Sequence, residues 1–523
     1  MRFLGIRNGH DANVTYTNGK EIKYMKLERN LQVKHFLYDG TNTDNDVPDI
    51  IIHARKVFGI QDSDIDAICI NPSNDRHQVV GFDRPDVLWQ EIDKYKNPFW
   101  SGFHGPVYVI DHHYAHTLSL WPMVDPESVK YSFVVDGEGD HVRHTSVFKD
   151  DELIEFLSLH TGSIPKALEN WAELSGMKGM ALDFSGKMMA LQALHNIPPH
   201  VLENLRSMLG LYGFNQMLEF GDLIQRHHVE YSYPFNKSAS PMENFQKAAN
   251  MSQLLHLFGE ETLPRFFEKH MNNVNSVCSY SGGVAQNTCL NSVIRKKIPN
   301  VIIPPHCPDD GISLGCVELL RRIFKQPKFY KPGFPYWQSD VAPEYSPYKR
   351  TIEKTAEYLA QGKIVGWYQG HGELGPRALG NRSILMDPSI VNGKDIINSK
   401  VKRREPYRPF GASVLKEHSD KYFDFPHESP YMLYVAKFKC SDFPAVTHLD
   451  GTCRHQTVGD GPETAIYRDL ITKFSEKTGI PMVLNTSLNV DGKPIAASPE
   501  DAKTLFDSSA LDVLVVGDNM MVK

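Results

Sequence analysis

"MRFLGIRNGHDANVTYTNGKEIKYMKLER" spans Met1 to Arg29. Apolar and polar residues alternate, break at a Gly/His/Asp loop, resume, and turn at Asn18-Gly19. An Asn-Gly pair between alternating runs is a strong hairpin signal. The stretch therefore reads as strand, polar loop, strand, turn, strand. "VKYSFVVDGEGDHVRHTSVFKDDELIEFLSLH", Val129 to His160, has the same plan with an acidic turn in place of Asn-Gly. The two stretches share a plan rather than residues. Each is followed by helical sequence, so a duplicated α/β unit is expected.

Actin-like and sugar-kinase-like ATPases are built from such a duplicated unit and hold nucleotide between its halves. This is an analogy of fold, and fold alone does not give function. Helical sequence dominates from about residue 165 to residue 275. "NSVCSYSGGVAQNTCLNSVI" then predicts a strand at Val277–Tyr280, a turn at Gly282-Gly283 and a helix from Val284. A strand, a glycine turn and a helix N-terminus together form a phosphate cradle. "VIIPPHCPDDGISLGCVELLRRIF" repeats that form. Residues 325–348, "KQPKFYKPGFPYWQSDVAPEYSPY", are rich in proline and aromatics and carry no periodicity, which marks a linker. The expected domains are thus 1–324 and 349–523, the second opening with a helix and the strand "KIVGWYQ".

Composition bounds the function. The chain has 523 residues, too many for one ordinary core. A net charge of -7 supplies no global basic field for nucleic acid. Seven cysteines without a C-x-x-C indicate neither a disulfide framework nor a thiolate zinc site. No stretch approaches the roughly 20 apolar residues of a membrane span. "MRFLGIRNGHD" has no apolar signal region, so a soluble cytoplasmic protein is expected, with no membrane partner.

Several segments carry chemistry-bearing residues. In "VYVIDHHYAHTLSLW" a helix starting near Asp111 puts His112 and His116 one turn apart on one face, where both imidazoles reach one metal. The glutamate of H-E-x-x-H is missing, which counts against a metallopeptidase. A third ligand is available in Asp136 of "VVDGEGD" or Asp309 of "CPDDGIS", both at predicted strand ends. Imidazoles with carboxylates suit Fe(II), Mn(II) or Zn(II). His10 and Asp11 in the first loop are candidate proton acceptors for a substrate hydroxyl.

The second domain is different. "HGELGPRALGNRSILMDP", His371 to Pro388, packs glycines around Arg377 and Arg382. Glycine lets backbone approach a ligand closely, and a guanidinium fork matches planar anions. "NSKVKRREPYRPFGASVL" adds Lys402, Arg403, Arg404 and Arg408, with Pro406 and Pro409 breaking any helix. "THLDGTCRHQTV" adds Arg454, and "PMVLNTSLNVDGKPI" adds Asn485, Thr486, Ser487 and Asn489 after an apolar strand. Together these segments suggest a pocket for a small, highly charged anion.

"GELGPRALGNRSIL", "KRREPYRPFGASVL", "DGTCRHQTV" and "TGIPMVLNTSLNVDGKPIAASPEDA" closely resemble the C-terminal segments of O-carbamoyltransferases, the family that serves nodulation-factor, cephamycin and tobramycin biosynthesis. "GHDA", "DHHYAH", "DGEGD", "SGGVAQN" and "DDGISLG" are similar to its N-terminal segments, in the same order. The resemblance implies an α/β architecture: a duplicated actin-like (ASKHA) N-terminal domain, then a smaller α/β C-terminal domain of the YrdC-like type. It implies an enzyme that makes carbamoyl-adenylate from carbamoyl phosphate and ATP in the second domain. The first domain then transfers the carbamoyl group to an acceptor hydroxyl.

The resemblance also implies residue roles. Arg377, Lys402 and Arg408 would hold carbamoyl phosphate, joined by Arg454 and Ser487, with Arg377 and Lys402 catalytic. His112, His116, Asp136 and Asp309 would hold a metal, Fe(II) in expectation, with Mg(II) accompanying ATP. Asp136, Gly137, Gly282, Gly283, Asn287 and Asp309 would approach the nucleotide, and His10 and Asp11 would face the acceptor as catalytic groups. The acceptor is expected to be a sugar, antibiotic or similar small molecule. The alternative is a hydroxymethylated nucleobase such as 5-hydroxymethylcytosine, free or in DNA. A tRNA threonylcarbamoyl transferase or a silent ATP-binding scaffold fits less well, and a homodimer is left open. One departure stands out: where the family often has E-E-E-R-F, this chain reads "KLERNLQVKHF", keeping Glu28, Arg29, Lys34 and His35.

Overall fold

Two sheets of matching topology occupy the N-terminal part of the computed structural model. The structure describes residues 1–36, 46–72, 84, 86–93, 103–228, 231, 241–329, 332–343 and 349–523. The first sheet contains β1 (Phe3–Arg7), β2 (Asn13–Thr17), β3 (Ile22–Lys26), β4 (Ala67–Asn71), β5 (Trp89–Glu91) and β6 (Val107–Ile110), in the order β3-β2-β1-β4-β6-β5. The second contains β7 (Tyr131–Val135), β8 (Arg143–Lys149), β9 (Glu152–Ser158), β10 (Cys278–Ser281) and β11 (Val301–Ile302), in the order β9-β8-β7-β10-β11.

Each half is an antiparallel meander whose first strand pairs on its other side with parallel strands: β1 with β4 and β4 with β6, β7 with β10 and β10 with β11. That repetition is the duplicated actin-like arrangement, with β5 an added edge strand. Local chemistry explains the first hairpin. Asn18 Oδ1 accepts from the amides of Lys20 and Glu21, and Gly19 takes φ +85°.

The helices that follow the last parallel strands, His112–Leu118 and Ile312–Ile323, cross between the two sheets. A Cβ on Gly315 would lie 2.0 Å from the Ala115 carbonyl, so glycine permits this crossing. Tyr114, Leu118, Ile312, Cys316 and Leu320 bury there. The N-termini of both helices thereby converge. A helical insertion, Ile164–Leu174 through Pro241–His270, packs against β7 and β10.

The remaining sheet holds β12 (Val365–Tyr368), β13 (Arg382–Met386), β14 (Gly411–Leu415), β15 (Val435–Lys437), β16 (Thr452–Val458), β17 (Met482–Ser487), β18 (Val513–Val516) and β19 (Asn519–Val522). Its order is β15-β16-β14-β17-β13-β12-β18-β19. Helices Lys349–Ala360 and Ala465–Thr478 cover one face around Trp367, Leu470 and Phe474.

The described part of the proline-rich stretch between the domains is packed rather than loose. Tyr336, Trp337 and Gln338 are buried. Gln338 Oε1 accepts from the Lys26 amide, Tyr336 donates to the Leu379 carbonyl, and Asp340 pairs with Arg382. Its aromatics are interface mortar between the parts of the chain it joins.

Candidate functional site

The converging helices build a four-residue cluster. Asp111 caps the helix His112–Leu118 by accepting from the Tyr114 amide, and His112 and His116 then project one turn apart. Asp136 stands just past β7, and Asp309 precedes Ile312–Ile323. His112 Nε2 lies 3.4 Å from both Asp136 Oδ2 and Asp309 Oδ1. His116 Nε2 lies 3.1 and 3.5 Å from the same atoms. A tetrahedral ion with bonds of about 2.1 Å spaces its ligand atoms about 3.4 Å apart, so the donor set fits a divalent metal. His112 Nδ1 meets Asn71 Oδ1 at 3.2 Å, which leaves Nε2 to face the cluster. Arg7 holds the outer oxygen of Asp309 at 2.8 Å and Asn71 at 2.6 Å. Burial pushes both carboxyls up, but the histidines pull Asp136, and Arg7 with His112 pull Asp309, well below the usual range. Burial also lowers His112, yet Asp309 and Asp136 carry it up to about 10.

The glycine turn lies against this cluster. Gly282 has φ +94°, and a Cβ there would sit 2.4 Å from the Val135 carbonyl. A Cβ on Gly283 would come within 2.9 Å of Asp136 Oδ1. Gly137 donates its amide to Asp136 at 2.7 Å. The side chain of Asn287 is committed to structure: Oδ1 accepts from the amides of Cys289 and Leu290, and Nδ2 donates to His256.

Beside the cluster, Asp11 (φ +57°) accepts from Lys26 at 2.9 Å and lies 3.2 Å from His10 Nδ1. His10 Nε2 is 3.7 Å from Asp309. Asp11, Glu28 and His35 also group tightly enough for a metal. The buried Lys26 ammonium already fills that role, reaching Glu28 at 3.0 Å and Asp310 at 2.6 Å. His35 continues the network to Asp183, at 3.2 Å.

The second constellation lies in the C-terminal sheet. Register places Arg454 of β16 and Asn485 of β17 on either side of Gly411, and Ser383 beside Ser487. The loop from His371 to Asn381 crosses this row. Gly375 (φ +94°) would place a Cβ 2.2 Å from the Pro305 carbonyl, and Gly380 (φ +115°) would place one 2.2 Å from the Tyr467 ring. Close contact with the first domain and with Tyr467 therefore explains these glycines. Lys402 donates to Ser487 O and Asn489 O, both at 2.8 Å, and to Ser487 Oγ at 3.1 Å. Arg408 meets Asp491 at 3.0 Å.

Arg377 reaches across to the Gln286 carbonyl at 3.4 Å, and its Nε is buried without a partner. Arg454 Nε is equally orphaned, and among the described residues neither guanidinium has a carboxylate within 4.0 Å. Burial first, then mutual repulsion with Arg377, Arg404 and Arg408, holds Arg454 well below its ordinary range. Burial and its neighbours Arg404 and Arg408 do the same to Lys402, and burial with Arg408 brings Arg404 to about 9. Guanidinium does not lose its proton in proteins, and the buried Nε atoms of Arg377 and Arg454 have no partner, so this cluster suits an anion.

Arg382 is not part of this pocket. It is fully buried, paired with Asp340 at 2.8 Å, bonded to the carbonyls of Gln369 and Gly370, and stacked on Tyr368. Its first-residue position in β13 turns it toward the interdomain strap. Sequence reasoning missed Arg7, Asn71, Lys26 and Asp183. The signal for the first two was a polar residue closing an apolar strand, since Arg7 and Asn71 are register partners.

A family model described as carbamoyltransferase N-terminus matches residues 79–317, and one described as carbamoyltransferase C-terminus matches residues 356–523. The chain is 28% identical to nodulation protein NolNO of Sinorhizobium fredii, over 98% of its own length and 79% of that protein. It is 29% identical to the 3'-hydroxymethylcephem-O-carbamoyltransferase of Amycolatopsis lactamdurans, over 80% of its own length and 74% of that enzyme. Component A of (R)-2-hydroxyglutaryl-CoA dehydratase from Acidaminococcus fermentans aligns with 61% of the chain at 11% identity and a TM-score of 0.33. At that score the likeness adds nothing to the strand topology described above.

Proposed function

The chain belongs to the O-carbamoyltransferase family and is a carbamoyltransferase, and from that premise we propose that it works in two steps at two sites. The observation that carries the reading is the cluster of Arg377, Lys402, Arg404, Arg408 and Arg454, with Lys402 buried and the four arginines half-buried, whose only carboxylate partners among the described residues are Asp491 and Glu405 on Arg408. Such a set is completed by a compact, multiply charged anion, and carbamoyl phosphate fits it.

In the first step Arg377, Lys402, Arg408, Arg454 and Ser487 hold carbamoyl phosphate. Water releases phosphate and leaves carbamate. Free carbamate loses carbon dioxide in water, so in this reading the occupied site, lined by buried Lys402 and the half-buried arginines, must close off solvent after phosphate leaves. The carbamate oxygen attacks the α-phosphorus of ATP, giving carbamoyl-adenylate and pyrophosphate. Arg377 contacts the carbonyl of Gln286, in the turn that begins at Gly282-Gly283, so the anion site opens toward the first domain.

In the second step the acceptor hydroxyl loses its proton to His10, which Asp11 orients, and its oxygen attacks the carbamoyl carbon as AMP leaves. The backbone of Gly137, Gly282 and Gly283 borders the space for the adenylate. A divalent ion on His112, His116, Asp136 and Asp309, Fe(II) by the family resemblance, would act as a Lewis acid on the carbamoyl oxygen. The chain carries a net charge of -7, and the acids around His10 are matched by Lys26, His35 and Arg7, so among the described residues no basic groove adjoins it. That favours a small hydroxylated acceptor over a nucleobase within DNA, which a basic surface would have to hold.

The test uses purified protein with ATP, magnesium, Fe(II) and carbamoyl phosphate. Pyrophosphate release and carbamoyl-adenylate, detected by mass spectrometry, should both require carbamoyl phosphate. A screen of hydroxylated small molecules and 5-hydroxymethylcytosine derivatives then identifies the acceptor. Absence of both products across all acceptors would refute the reading.

A further inference from the structure

The short helical turn Leu27–Leu31 that follows β3 leaves the metal side of the molecule and enters the phosphate side. Arg29, 2% exposed, has no carboxylate within 4.0 Å among the described residues. Its Nη1 donates to the Glu373 carbonyl and its Nη2 to the Gly375 carbonyl, both at 2.6 Å. Those carbonyls belong to the loop that carries Arg377.

The rest of that loop is fixed from within and from below. Glu373 Oε1 accepts from the amides of Leu379, Asn381 and Arg382, at 2.8, 2.8 and 3.1 Å, which closes the loop. Gly375 rests on the Pro305 carbonyl. Asp340 holds the Gly372 amide and Asn381 the His371 carbonyl, and between there and Arg377 the side-chain hydrogen bonds to Glu373–Pro376 from elsewhere among the described residues are those of Arg29. At the other end of the same connection, Glu28 accepts from the His35 amide and from Lys26, and Lys26 holds Asp11 and Asp310. One short stretch, Lys26 to His35, therefore touches the acceptor-side groups and the anion-side loop together.

We infer that Arg29 is a positioning residue for carbamoyl phosphate: from the first domain it sets the loop that aims Arg377, and so ties the anion site of one domain to the first hairpin of the other. A buried guanidinium spent on two neutral carbonyls is a costly way to fill space. Its planar fork is what reaches carbonyls two residues apart at once. A lysine ammonium, a single point of charge, does not reproduce that grip. The inference rests on the two-step reading above.

The test compares wild type with Arg29→Lys and Arg29→Met as full-length proteins with metal bound. In the acceptor-free pyrophosphate assay, KM for carbamoyl phosphate should rise at least tenfold in both variants. KM for ATP and the metal content should stay at wild-type values. Added guanidinium should partly restore an Arg29→Ala variant and leave wild type unchanged. Direct titration of inorganic phosphate should show the same loss of affinity. Folded variants with wild-type KM for carbamoyl phosphate and wild-type phosphate affinity would overturn the inference. Loss of folding in both Arg29→Lys and Arg29→Met would also overturn it, reassigning Arg29 to interdomain stability. If wild type releases no pyrophosphate, the two-step reading falls, and the phosphate titration alone then decides the role of Arg29.

Discussion

The two constellations are electrostatic opposites. Around His112, His116, Asp136 and Asp309, carboxylates and imidazoles face one another, and Arg7 and His10 balance the outer oxygen of Asp309. Around Arg377, Lys402, Arg404 and Arg454, like charges face one another with neutral carbonyls as their partners. The first set is compact on its own and needs only an ion at its centre. The second is complete only with an anion in it. In the proposed two-step reading, this difference separates a site for polarising a carbonyl from a site for gathering an acyl phosphate.

The comparison breaks most sharply at Arg377 and Arg454. Either change to Ala should cut carbamoyl-phosphate-dependent pyrophosphate release by about 10²–10³-fold or more. The same changes should leave Tm unchanged or raised, because each relieves repulsion between like charges in the cluster. A large fall in Tm instead would mean that the cluster supports the fold. Chelation sharpens the other side. Stripping the protein with a chelator and returning magnesium alone should abolish carbamoyl transfer yet keep acceptor-free pyrophosphate release, and Fe(II) should restore transfer.

A smaller effect is expected from phosphate alone. Inorganic phosphate at a hundred times its Kd should stabilise the protein by about 2.7 kcal/mol. Arg454→Ala should lose that rise in Tm, and His112→Ala should keep it.

An effect of similar size concerns His35. Burial lowers its pKa, but Asp11 and Asp183 carry it from 6.5 up to about 9. A histidine raised on folding stabilises fully below pH 6.5, and that stability is lost as pH rises through 9. The advantage of wild type over His35→Gln in denaturant titrations should therefore be on the order of 3 kcal/mol at pH 6 and fade toward pH 9.

How much of this was legible in the sequence varied with the locality of the signal. The meanders β1–β3 and β7–β9 were legible because turn residues act locally. The pairing of β12 with β18 in the C-terminal sheet was not, since parallel pairing across more than a hundred residues leaves no local mark. His112 and His116 were readable from their i,i+4 spacing and Asp136 from its strand end, whereas Asp309, expected at a strand end, stands in the turn that leads into Ile312–Ile323, well past β11. Lys26 and Arg7 read as strand residues, and only the assembled sheets bring them to Asp310 and Asp309. Arg382 sat in a persuasive motif, yet strand register turned it toward Asp340. Tyr336 and Trp337 carried the one signal of burial that the proline-rich stretch offered.

The central claim is that each cluster serves its own half-reaction, and His112→Ala tests it most directly. Both half-reactions would be measured on one preparation, first pyrophosphate release without acceptor, then carbamoyl transfer with acceptor. The account predicts pyrophosphate release at the wild-type rate, accumulation of carbamoyl-adenylate, and no transfer. Loss of adenylate formation together with transfer in a folded protein would contradict it.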